Sequence, residues 1–321
     1  MATNSLNLLT GIGLLFFSPA TLFAEVTAKP SERGVVIEID GQLFAEYLTK
    51  AGQSPAIWPI IGPTGGRMTR SFPLDTSQPN EKADHPHHQS LWFTHGDVNG
   101  LDFWGGNTNT RRPGKEPLQI VQRDLDESKG KGGTVRLVTR NDWMNGDKRI
   151  CDDVRTIVFG TEANGARWID FTIMINATDG DATFGDTKEG TFGVRVAESM
   201  KVDANQGGQI VNSKGDRDAK AWGVPAEWVD YTGPVDGETV GIAIFSHPSS
   251  FRPLCRWHVR TYGLFAANPF GEKDFEKADT KQGAVTIQKG DSLTLRYRVF
   301  IHAGTTEEAH IAEAFRAFAE N

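Results

Sequence analysis

The chain has 321 residues, of which 38% are apolar and 23% charged, and these fractions exclude a disordered chain and a multi-span membrane protein. Its 34 Lys and Arg against 41 Asp and Glu leave a net charge of −7, which argues against a binder of phosphate backbones. With 35 Gly, 15 Pro, eight Trp and 19 Phe, the composition is that of many strands joined by many turns.

Residues 1–24 carry no charged side chain, and Leu6 to Phe23 is mostly apolar before the small residue Ala24. The stretch reads as a secretory signal peptide cleaved near Ala24, which places the mature chain in the periplasm or outside the cell, with no membrane contact after its removal. An uncleaved anchor is the alternative. Cys151 and Cys255 can either pair across a long loop or remain buried thiols.

From there strand-like runs recur. In chain order they are Gly34–Asp40, Gln42–Leu48, Ala56–Ile61, Leu118–Arg123, Thr134–Asn141, Val154–Phe159, Arg167–Asn176, Phe192–Ala197, Thr239–Ser246, Arg256–Phe265, Ala284–Gln288 and Ser292–His302. Ile169, Phe171, Ile173 and Ile175 share one face of their run; Leu293, Leu295, Tyr297, Val299 and Ile301 do the same. Only the C-terminal segment reads as a helix, with Thr305 or Thr306 as cap and Ile311, Phe315 and Phe318 as its apolar stripe. No repeat, linker or glycine-rich phosphate loop interrupts the chain. The fold expected is therefore all-β, one large antiparallel β-sandwich or supersandwich over residues 28–321 with a short C-terminal helix.

The segment Asp84-His-Pro-His-His-Gln-Ser-Leu-Trp-Phe-Thr-His95 carries the densest chemistry. It holds His85, His87, His88 and His95, whereas an eleven-residue window of this composition holds about 0.3 histidine. Histidine suits proton transfer near neutral pH and is the commonest metal ligand. Fully extended, His87 and His95 would lie about 26 Å apart at about 3.3 Å per residue, so a shared site needs a bend or other strands. The segment reads as a loop entering a strand at Leu91 and turning at Gly96. Three readings compete: acid–base or sugar-binding chemistry, a divalent metal held by Asp84, His85 and His87 or His88, and histidines that cap loop carbonyls.

Further along, Arg256, His258, Arg260 and Tyr262 project to one face of their run, and Arg296 and Arg298 to one face of theirs. If those strands are neighbours, the arginines form a positive wall suited to a uronic acid or an oxidised keto-sugar. Glu189 and Arg195 lie in a polar stretch, and Asn268 ends a strand where its amide could meet a ligand hydroxyl.

Asp84-His-Pro-His-His88, Leu91-Trp-Phe-Thr-His-Gly-Asp-Val-Asn-Gly100 and Asp102-Phe-Trp104, together with Ile60–Gly66, Gly190–Arg195 and Ala267–Phe270, resemble a family of exported bacterial proteins labelled "PmoA family". The reaction implied by that label belongs to a subunit with several membrane helices, which this chain lacks after residue 24. More distantly, Pro59-Ile-Ile-Gly-Pro-Thr-Gly-Gly-Arg67 before a histidine-rich turn resembles galactose mutarotase-type proteins. That resemblance implies a supersandwich whose concave sheet binds sugar, with a histidine and a carboxylate exchanging protons.

The expectation drawn from residues and resemblance together is an exported carbohydrate-active enzyme of epimerase, lyase or hydrolase type. His88, His95 and His258 are its proton-transfer residues and Glu189 the carboxylate partner. Arg67, His85, His87, Trp92, Arg195, Arg260 and Asn268 bind the sugar. No cofactor is expected unless a metal sits at residues 84–88, and no nucleic acid is a partner. The rivals are a non-catalytic carbohydrate-binding protein and a metal-dependent oxidoreductase.

Overall fold

The computed structural model describes residues 24–106, 117–129, 133–276 and 283–321. The signal-peptide reading falls on residues 1–24, of which 1–23 lie outside the described residues. Eighteen strands are described. The first eight are β1 (Val26–Pro30), β2 (Gly34–Ile39), β3 (Gln42–Ala51), β4 (Ser54–Ile60), β5 (Leu91–His95), β6 (Leu118–Lys129), β7 (Val135–Asn145) and β8 (Lys148–Thr161). β9 (Arg167–Asn176), β10 (Ala182–Phe184), β11 (Gly190–Arg195), β12 (Gln209–Asn212) and β13 (Trp228–Val235) follow. β14 (Glu238–Ser246), β15 (Arg256–Val259), β16 (Leu264–Asn268), β17 (Val285–Ile287) and β18 (Ser292–Ala303) complete the set.

Sixteen of these strands form two antiparallel eight-stranded sheets. The first runs β1-β2-β3-β4-β5-β11-β16-β15, the second β12-β13-β14-β18-β9-β8-β7-β6, and β10 pairs with β17 beside them. This is the all-β sandwich that the alternation implies. Both sheets send their alternate apolar residues into one interior, where Ile37, Phe44, Phe93 and Phe192 meet Ile173, Leu295, Tyr297 and Val299. The apolar row of β9 and β18 is buried as its period of two requires.

Four expectations need correction. Arg256–Phe265 is not one strand but the hairpin β15–β16, closed where the Arg260 N–H donates to the Leu264 carbonyl and Gly263 (φ +99°) turns the chain. One turn of helix, α1 (Lys273–Glu276), lies outside the C-terminus. The C-terminal helix α2 (Ile311–Ala319) starts five residues after Thr306, because Thr305 and Glu308 close a capping-box turn ahead of it. Its stripe of Ile311, Phe315 and Phe318 does pack, onto Phe245 and Phe300 on the outer face of the second sheet. Finally, the arginine wall does not form, since Arg256 stands on the edge strand of the first sheet and Arg296 and Arg298 on a central strand of the second. Cys151 and Cys255 are both buried free thiols.

Candidate functional site

The outer face of the first sheet is built by strand register. Trp92 on β5 pairs with Gly193 on β11, Gly193 with Ala266 on β16, and Ala266 with His258 on β15. One row therefore presents a large aromatic, two small residues and a histidine. The space above Gly193 is taken by indole: a Cβ there would lie 2.9 Å from Trp92 and 3.2 Å from Trp104. Trp92 and Trp104 thus lie against the sheet only because residue 193 is glycine, and their ring centroids are 5.1 Å apart.

The segment before β5 folds back over this face. Tyr262 and His85 stack at 5.3 Å, His85 and His88 at 4.8 Å, and His88 and Trp92 at 5.4 Å, with His87 edge-on to His88 at 4.5 Å. Beneath the stack, Asp84 accepts from Arg70 at 2.7 Å and from Arg195 at 3.1 Å, and His85 Nδ1 lies 3.1 Å from the same carboxylate oxygen. Both guanidiniums are completely buried. Burial raises the Asp84 carboxyl, but His85, Arg195 and Arg70 outweigh it and hold the group at about 2. Asp84 is therefore a counter-ion. The histidine rings stack rather than converge, and among the described residues no three acidic, histidine or cysteine groups are placed to share a metal ion.

Arg195 also donates to His88 Nδ1 at 3.3 Å, which leaves Nε2 as the proton-bearing nitrogen of the neutral ring. Burial keeps His88 well below the usual histidine range, and burial holds His87 and His258 down to about 4. All three rings are neutral at pH 7. Glu189, paired with Lys188 at 2.9 Å, lies within electrostatic reach of His258, Tyr262 and Asp102. Burial, with Glu189 and Asp97 adding to it, raises the Asp102 carboxyl.

A cavity of about 270 Å³ opens beside the stack, lined by His87, Trp92, Thr94 and Trp104 among others. Each of these four residues carries a buried polar atom that has no hydrogen-bond partner among the described residues: His87 Nδ1, Trp92 Nε1, Thr94 Oγ1 and Trp104 Nε1. Leaving such an atom unmatched costs about 1–3 kcal/mol.

Of the residues expected in the site, His85, His87, His88, Trp92, Arg195, His258, Glu189 and Arg260 stand on this face or at its rim. Three do not. His95 points into the interior, where Nε2 donates to the Gly185 carbonyl at 2.8 Å, Nδ1 accepts from Thr191 and the ring packs on Phe184 and Phe270. On a strand, residues 92 and 95 must face opposite ways. Asn268 is fully buried and spends its amide on the Thr187 carbonyl and the Phe270 N–H, pinning two loops rather than meeting a ligand. Arg67 pairs with Asp75 at 3.6 Å and lines a separate groove of about 790 Å³. Sequence reasoning missed Arg70 and Trp222, for which no local pattern exists, and took Asp84 only for a metal ligand.

The model of a family described as "Family of unknown function (DUF6807)" matches residues 34–316. No curated protein matches the chain.

Proposed function

We propose that this chain, which belongs to the DUF6807 family, binds a carbohydrate on the outer face of its first sheet and transfers protons there through His258 with Glu189 as partner. The observation that carries the reading is the set of partnerless buried polar atoms on His87, Trp92, Thr94 and Trp104 around one cavity of about 270 Å³. Indole faces pack against the C–H surfaces of a sugar ring, while two indole N–H groups, a hydroxyl and an imidazole nitrogen match its hydroxyls.

His258 is 2% exposed and its Nδ1 has no hydrogen-bond partner among the described residues. The neutral ring is in the state that accepts a proton, and the Glu189 carboxylate beside it favours the imidazolium that results. His88, fixed as its Nε2–H tautomer by Arg195, is a hydrogen-bond donor. The chemistry open to this set is proton abstraction at a sugar carbon or hydroxyl, as in an epimerase, lyase or hydrolase. The uncharged stretch before Glu25 supports an exported place of action.

A panel of mono- and disaccharides tests the reading, with turnover and binding measured separately. His258→Asn should lower turnover by about 10²–10⁴ while the melting temperature stays close to the parent's. Unchanged turnover would remove the catalytic part. The burial that holds His258 to about 4 makes it a weak base, and this favours a second reading, a non-catalytic carbohydrate-binding protein. Sugar binding without turnover in the parent would establish that alternative.

A further inference from the structure

We propose that Arg260 and Trp222 form an anion subsite beside His258 that seats a carboxylate, so that the ligand is an acidic sugar. The proposal rests on the reading that a sugar binds on this face.

Arg260 stands on a rigid turn. Its N–H donates to the Leu264 carbonyl at 2.8 Å, its carbonyl accepts from Gly263 at 2.9 Å, and the Tyr231 hydroxyl donates to the adjacent Thr261 carbonyl at 3.0 Å. Its guanidinium carbon lies 5.9 Å from the Trp222 ring centroid and 5.5 Å from that of Tyr262. Rings that hold the faces of a guanidinium leave its N–H edges free for a ligand.

The charge of Arg260 is unmatched in a way that its neighbours' charges are not. Arg256, four residues earlier on β15, is bound by Glu272 and Glu276. Arg195 has Asp84. Arg260 has no carboxylate partner and no side-chain hydrogen bond among the described residues. Near His258 the charges are Glu189, Arg260 and Lys188, and Lys188 is already paired with Glu189. Of these three, Arg260 is the one left without a pair among the described residues.

There is room for its counter-ion. A hollow of about 320 Å³ is lined by Ala219, Trp222, Val259, Arg260 and Thr261. Trp222 Nε1 is buried with no hydrogen-bond partner among the described residues, and the ring lies 6.3 Å from His258. The side chains therefore offer a charged donor and a neutral donor, and among the described residues neither is paired with a carboxylate. A sugar hydroxyl would satisfy one N–H but would not offset the charge. A carboxylate does both, because a guanidinium edge gives it two parallel hydrogen bonds.

The test is calorimetric binding to the full chain of glucuronate and galacturonate, each compared with its methyl ester and its parent hexose. The ester keeps the size and removes the charge. The parent protein should bind each uronate at least about tenfold more tightly than its ester. Arg260→Gln should bring that ratio close to one, and Trp222→Phe, which keeps a ring and removes the N–H, should lower it by part. Equal affinity of acid and ester in the parent protein overturns the subsite and leaves the sugar reading standing. If no sugar of either kind binds, the sugar reading falls and the subsite falls with it.

Discussion

The two eight-stranded sheets share one interior, yet their outer faces solve the same problem in opposite ways. On the second sheet, Arg298 makes two hydrogen bonds to Asp170, and His302 pairs with Asp230, which also accepts from Thr306. The apolar stripe of α2 covers much of what remains. On the first sheet no helix of comparable length covers the outer face among the described residues. His87, His88 and His258 are neutral there, and Trp92, Trp104, Thr94, His87 and His258 keep partnerless polar atoms. A face built for stability matches its polar groups internally. The second face keeps a partnerless atom too, His247 Nε2 against Phe318, but on the first face such atoms gather around one cavity, and that gathering marks the place where matching comes from a ligand.

The largest expected effect separates the two faces by their ion pairs. Asp84→Asn leaves Arg70 and Arg195 buried without their counter-charge and should cost about 3–5 kcal/mol in urea denaturation. A loss below about 1 kcal/mol would show that Glu198, 3.9 Å from Arg195, takes over.

Acidification sharpens the contrast at two residues, because His258 on the first face and His302 on the second shift in opposite directions. Burial holds His258 at about 4 against an ordinary 6.5, so the unfolded chain takes up a proton that the folded one refuses. Its contribution is a stability that falls as pH drops from about 6.5 toward 4. Burial alone would lower His302 too, but Asp230 outweighs it and raises the group. That stabilisation is complete below 6.5 and fades as pH rises through the raised folded value. In urea melts across pH 7 to 4, His258→Asn should remove on the order of 2–3 kcal/mol of acid destabilisation. His302→Asn should steepen it. A parallel response of the two variants would break the comparison.

The smallest effect belongs to the second face. Asp170 and Arg298 are partly exposed, at 28% and 14%, and Asp170→Asn should change stability by only about 0–1 kcal/mol in the same assay.

Much of this frame was legible in the residues. The alternation in Arg167–Asn176 yields β9 with the observed bounds, and that in Ser292–His302 yields β18 to within one residue. β13 escaped notice because Asp230, Gly233 and Pro234 interrupt an apolar run that is buried on both faces. The β15–β16 turn escaped because its one glycine sits inside an unbroken run of strand formers. For the site, the density of histidines pointed to the right segment and strand parity separates His95 from Trp92. Parity could not be carried back to His87 and His88, since Ser90 adopts φ +62° and breaks the extended chain between them. The bridge from Asp84 to Arg70 and Arg195, 14 and 111 residues away in the chain, is set by tertiary folding and has no local signature.

The central claim, that the outer face of the first sheet takes the ligand, is tested most directly by indole ¹⁵N–¹H spectra during titration with the sugars that bind. The Trp92 and Trp104 N–H groups have no internal acceptor among the described residues, whereas Trp143 donates to Asp153 at 2.8 Å and Trp257 to the Ala226 carbonyl at 3.0 Å. Ligand should move the Trp92 and Trp104 resonances downfield with one common dissociation constant and leave Trp143 and Trp257 in place. Saturable binding that leaves Trp92 and Trp104 unmoved, or that moves Trp168 on the second sheet instead, would contradict the account.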